Sequence, residues 1–140
     1  MPDQDPDNPP LLDMVGAVPV VRLVATQRVF DDAIAMIAVV VRRMLAEGQP
    51  HLLVDARQAG FASPSLVDRL RMVRQWADAA GGRVRIVVVA RPEFIDPERF
   101  GVVAAGKFGL SAQVFEQEAD AIAWLHEERL ADLDRGHLEE

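Results

Sequence analysis

The chain has 140 residues and a mass of 15.4 kDa, which suits one domain that buries roughly two-thirds of its unfolded surface. Half of the residues are hydrophobic and 26% are charged, a composition that excludes an intrinsically disordered chain. The formal net charge of -7 argues against broad binding to nucleic acid or anionic membranes, which needs a cationic surface, and the lack of cysteine excludes disulfide and thiolate chemistry.

Residues 1–10 carry Pro2, Pro6, Pro9 and Pro10 among Asp, Asn and Gln. Such a segment cannot bury a face and reads as a disordered tail. It is the reverse of a basic, apolar leader, and with no cysteine the compartment is left open, the cytosol being the default. Leu11 to Val15, Gly16-Ala17 and Val18 to Ala25 predict a hairpin or a bent edge strand. Pro19 favours an edge or a strand start, because it cannot donate to a ladder.

Asp31 and Asp32 are candidate caps for a helix over Ala33 to Glu47, stopped by Gly48. This helix is almost continuously apolar and should be heavily buried. Its longest apolar run, Ala33 to Val41, is too short to span a bilayer, which needs about 20 residues. His51 to Asp55 predicts a short strand ending in an acid, followed by a loop from Arg57 to Ala62. Ser63-Pro64 predicts the next helix start, with Ser63 as cap. Leu66, Val67, Leu70, Val73 and Ala77 continue it at helical spacing, and Gly81-Gly82 ends it.

Val84 to Ala90 is the clearest strand. Its continuous β-branched run predicts burial on both faces, in the centre of a sheet. Asp96-Pro97-Glu98 predicts a helix start, and Gly109 its end; Gly101, Gly106 and Gly109 make this helix the least rigid by propensity. Ala112 to Phe115 is a short strand. Glu118 to Leu133 is a last helix, and Asp134 to Glu140 a frayed polar tail. The fold class is thus α/β over residues 11–133: successive strand–helix units forming a mostly parallel four- to five-stranded sheet with four helices.

No catalytic signature accompanies this pattern. Gly81-Gly82 ends a helix, whereas a phosphate cradle opens one. There is no nucleophile elbow. His51, His126 and His137 are isolated, so no metal site and no cofactor is expected. Trp76 and Trp124 read as boundary packing or, alternatively, partner contacts. The arginines Arg69, Arg71, Arg74, Arg83, Arg85 and Arg91 read as solvated positions or as a local basic patch.

Open α/β sheets bind ligands beyond the carboxyl ends of their strands. There the sequence places Asp55, Arg57, Ser63, Ser65, Arg91 and Glu93, a candidate polar rim for a ligand or partner. Phe100 and Phe108 read as core packing or, alternatively, as one wall of an apolar pocket or a mobile lid between the Val84–Ala90 strand and its neighbour.

Four features together carry a family resemblance over Val20 to Leu125. They are the Asp-ended strand Leu52-Leu53-Val54-Asp55, Phe61 leading into Ser63-Pro64-Ser65, the valine-rich strand, and Val114-Phe115 followed by Ala121-Ile122-Ala123-Trp124-Leu125. The chain resembles the STAS domain superfamily, and within it the SpoIIAA-like, anti-sigma factor antagonist-like group. The resemblance implies strand–helix units wound in order behind a leading edge strand, and no catalysis. It implies a phosphorylated serine at the start of the helix after Asp55. Alignment on Asp55 and Phe61 puts Pro64 at that position, flanked by Ser63 and Ser65, the two candidate phosphorylation sites. Other relatives look like lipid carriers.

Two readings follow. One is a non-enzymatic regulatory or protein-interaction module that uses the Ser63–Ser65 helix start. The other is a binder of a small, lipid-like apolar ligand. An enzyme using Asp55, Arg57 and Arg91 is a distant third, and a homodimer through the edge near Pro19 or an exposed Trp is a further expectation.

Overall fold

The computed structural model describes residues 12–139, with side chains described through Asp132. The expected disordered tail, residues 1–10, lies outside the described residues. The expected hairpin forms: β1 (Asp13–Val15) pairs antiparallel with β2 (Val18–Arg22). The turn between them needs a left-handed residue, which Gly16 supplies at φ +61. Pro19 sits in β2 before that strand's pairing with β3 begins at Val20, so its missing N–H costs no bond to β3. The edge itself is β1.

Three parallel strands follow: β3 (His51–Asp55), β4 (Arg85–Val89) and β5 (Ala112–Phe115). The sheet has five strands in the order β1-β2-β3-β4-β5. The valine-rich β4 is flanked by β3 and β5 and so is an interior strand, next to the β5 edge, while β3 holds the middle of the sheet.

Four helices complete the domain: α1 (Phe30–Ala46), α2 (Leu66–Ala80), α3 (Phe100–Lys107) and α4 (Glu118–Glu139). Each strand is added on the same side of the last. Crossovers of one hand must then put α1, α2 and α3 on one face of the sheet. Side chains alternate along each strand and build two cores accordingly. Val21, Leu52, Val54 and Ile86 pack under α1–α3 with Ile37, Val41, Met44 and Trp76. Val20, Leu53, Val87 and Val89 face the opposite side, where Ala121 and Leu125 of α4 cover them.

Three helix starts differ from expectation. α1 begins at Phe30, with Val29 at the N-cap and no side-chain cap. Asp31 and Asp32 lie inside its first turn, where their charge complements the helix dipole. α2 is capped by Ser65, not Ser63. A residue before proline is pushed out of the helical region, which holds Ser63 outside the helix. Ser65 and Asp68 instead form a reciprocal capping box: Ser65 Oγ accepts from Asp68 N at 3.1 Å, and Asp68 Oδ2 from Ser65 N at 3.4 Å. Ser65→Ala is expected to lower stability by about 1 kcal/mol, read from the urea midpoint.

α3 begins four residues after Asp96. A short 3-10 turn (Pro92–Phe94) precedes Asp96, and a tight turn closed by Arg99 N donating to the Asp96 carbonyl at 2.9 Å separates it from the helix. Asp96 still caps at a distance, its Oδ2 accepting from Phe100 N at 2.8 Å. Space is open where a Cβ would sit on Gly106, so Gly106→Ala should stabilise the domain by about 0.5–1 kcal/mol, seen as a higher Tm. α4 continues past Leu133 to Glu139.

Candidate functional site

The six residues expected to share one polar rim are divided among three places. Asp55 ends β3, is only 5% exposed, and faces α4. It accepts four hydrogen bonds: from Arg22 Nη1 at 2.8 Å, Arg57 Nε at 2.9 Å, Arg57 Nη2 at 3.0 Å and Arg57 N at 3.1 Å. Arg22, directly opposite Asp55 in the β2–β3 register, also binds Asp13 of β1 at 2.8 Å and Glu118 of α4 at 2.7 Å. The cluster thus clamps β1, β2, β3 and the first turn of α4. Burial pushes the Asp55 carboxyl upward, but the hydrogen bonds from Arg57 and Arg22 outweigh it and hold the group below its ordinary value. Arg22, Asp13 and Glu118 were not singled out in the sequence. Their meeting depends on strand register, which no local pattern encodes.

Arg91 turns to the loop after β3. Its Nη1 donates to the carbonyls of Arg57 at 3.2 Å and Ala59 at 3.4 Å. Its guanidinium lies 4.3 Å from the centre of the Phe94 ring and its Nε 3.1 Å from Glu93. Arg91 and Glu93 are thereby structural props for the loop.

Ser63 and Ser65 stand at the start of α2. Ser63 Oγ accepts from Arg69 Nη2 at 3.3 Å, while Ser65 Oγ is engaged in the capping box.

On the opposite face of the sheet from the Asp55 cluster is an apolar cavity of about 110 Å³. It sits between the sheet and helices α1, α2 and α3, open towards the carboxyl ends of the strands. Phe61 is its keystone: the ring meets Phe30 edge-on at 5.2 Å and stacks on Phe94 at 5.8 Å. Trp76 lines the far wall and commits its indole N–H to the Ile34 carbonyl at 3.2 Å. The pocket was expected under α3, but its α3 wall is Gly101 and Val102 rather than Phe100 and Phe108. The inner side of α3 carries Ala104 and Ala105, small residues that let the helix lie close and leave no room for rings beneath it. Phe108 is 45% exposed and lies under Arg74.

The remaining arginines form no single patch. Arg71 of α2 pairs with Asp68 on its own helix and with Asp31 of α1, whereas Arg85 pairs with Asp132 and Glu128 of α4. Trp124 packs half-buried on the α4 layer. His51 is buried at the amino end of β3. Burial, with Arg85 and Arg129 nearby, lowers its pKa against the opposing effect of Asp132. Its folded pKa lies below the unfolded value, so the associated stability is intact above about pH 6.5. It is lost as pH falls from there through the folded pKa. The urea midpoint should therefore drop between pH 7.5 and pH 5, and His51→Gln should flatten that drop.

Among the described residues, no group of three or more His, Cys, Asp or Glu could hold a metal ion. Among the same residues, no helix is long and apolar enough to cross a membrane. No family model, curated protein or solved structure matches the chain.

Proposed function

We propose that this protein is a non-catalytic binding domain that takes a small apolar ligand into the cavity under α1, α2 and α3. The observation that carries the proposal is the cavity's lining: aromatic and aliphatic side chains apart from Arg69 and Gln113, at the strand ends where α/β sheets hold ligands. Each polar group of the expected rim is already committed, to an ion cluster, a loop or a cap, and no nucleophile–base pair stands among the described residues that line the space. A cavity of this kind stays dry; an engineered one of about 150 Å³ lined by Leu, Ile and Phe binds benzene or xenon.

Trp76 is a built-in reporter of occupancy. With Trp124→Phe removing the second indole, benzene is expected to change Trp76 fluorescence and raise Tm. Val102→Phe, which adds a ring at the half-buried mouth, should abolish both effects while the protein remains folded. Absence of any benzene or xenon response in the unsubstituted chain would sink the proposal.

A second reading keeps the SpoIIAA-like regulatory module in play, supported by the surface beside Ser63 and Ser65. Leu66 is 57% and Val67 67% exposed there, an apolar pair that a protein partner could cover. A phosphoryl group on Ser65 would gain from the helix dipole but would displace the cap and face Asp68. Mass spectrometry of protein from its own host, with pull-downs by unmodified and phosphorylated chain, tests this reading. No phosphate on either serine and no partner would remove it.

A further inference from the structure

We infer that the cavity's ligand is a small hydrophobic monocarboxylate, an aromatic or branched-chain acid, whose carboxylate pairs with Arg69. The inference rests on the proposed apolar-ligand function and deepens it.

Arg69 is the one charged side chain among the cavity's lining residues, and Gln113 the other polar one apart from the committed Trp76. The guanidinium is already held in place. Its Nε donates to the Pro64 carbonyl at 3.2 Å and its Nη2 to Ser63 Oγ at 3.3 Å. Both acceptors are neutral, so they orient the group without cancelling its charge. No carboxylate pairs with Arg69 among the described residues, whereas Arg22, Arg57, Arg71, Arg85 and Arg91 each have one. Arg28, Arg42, Arg74, Arg83 and Arg99 share that lack of an ion pair, but Arg69 alone among the charged residues lines the cavity, where in a chain of net charge -7 it offers a contact for an anionic group. The nearby Asp68 carboxylate is taken up by Arg71 and by the cap.

A fixed guanidinium loses little freedom when it binds, and it offers a planar, doubly donating edge to a carboxylate. The cavity sets the size of the rest. At about 110 Å³ it is somewhat smaller than the cavity of about 150 Å³ that takes benzene. One ring or a short branched chain fits, and a long acyl chain does not. The three phenylalanines and Trp76 around it favour a flat ring. The acid would enter ring first, leaving its carboxylate at the Arg69 rim.

The test uses the full chain carrying Trp124→Phe, titrated with benzoate, its neutral analogue benzamide, and benzene, followed by Trp76 fluorescence and calorimetry. Benzoate is expected to bind roughly 10- to 100-fold tighter than benzamide. Arg69→Gln should remove that advantage, and Arg69→Lys should restore part of it. If benzene binds but benzoate shows no preference over benzamide, or Arg69→Gln leaves benzoate binding unchanged, the carboxylate assignment is overturned and the apolar-ligand function stands. If neither benzene nor benzoate binds, both fall.

Discussion

Gly60→Ala should cost about 3 kcal/mol or more. A Cβ on Gly60 would sit 2.0 Å from the Ala25 carbonyl oxygen and 2.9 Å from its carbon. These are backbone atoms, so no rotamer change relieves the clash. Overpacking usually costs about 1–3 kcal/mol even where side chains can move aside. Here the loop after β3 must retreat from the loop after β2. That retreat also breaks the bond from Gly60 N to the Gln27 carbonyl at 3.0 Å. Phe61, the next residue, would shift out of its stack with Phe30 and Phe94 and deform the cavity. The expected outcome is a urea midpoint far below that of the unsubstituted protein, with loss of the benzene response even where protein remains folded. A fall of less than 1 kcal/mol would mean the two loops do not approach this closely.

The position of Gly60 also shows where sequence reasoning stops. Its backbone φ is not in the left-handed region, so no turn pattern marks it as special. Only the approach of a chain segment from 35 residues earlier makes it irreplaceable. The sheet, by contrast, was legible, because its signals are local. A continuous β-branched run such as Ile86 to Val89 has one stable placement, buried on both faces between parallel neighbours. The Asp-ended β3, the Gly16 turn and the Gly81 helix end are likewise decided within a few residues.

The rim was legible only as a list of polar residues near strand ends. Alternation sends Asp55 to the α4 face, away from the cavity, and the β2–β3 register alone puts Arg22 opposite it. The capping box was present in the sequence as Ser65 and Asp68, three residues apart. Pro64 at an assumed first helical position drew attention to Ser63 instead. The cavity had no linear signal at all, since Phe30, Phe61, Trp76 and Phe94 come from four separate segments.

Asp55→Ala is the second substitution with a large expected effect, about 2–4 kcal/mol. Breaking a fully buried ion pair costs about 3–5 kcal/mol because the abandoned charge stays desolvated. The value here is reduced because the side chains of Arg22 and Arg57 are each 35% exposed and water can solvate them in part. Arg22 would keep Asp13 and Glu118, but Arg57 would keep only Glu118, at 3.5 Å. The anchor between β3 and the start of α4 would therefore slacken, and the α4 layer over Leu53 and Val87 should loosen before the other face. Hydrogen exchange should show faster opening in α4 than in α1. Acid should reproduce the effect in the unsubstituted chain. The folded pKa of Asp55 is depressed, so its contribution is complete above the unfolded value near 3.9. It disappears as pH falls through the folded pKa. Stability should thus fall steeply below pH 4, and Asp55→Ala should remove that part of the slope. An unchanged acid limb in the variant would show that Asp55 is not the group that ties α4 to the sheet.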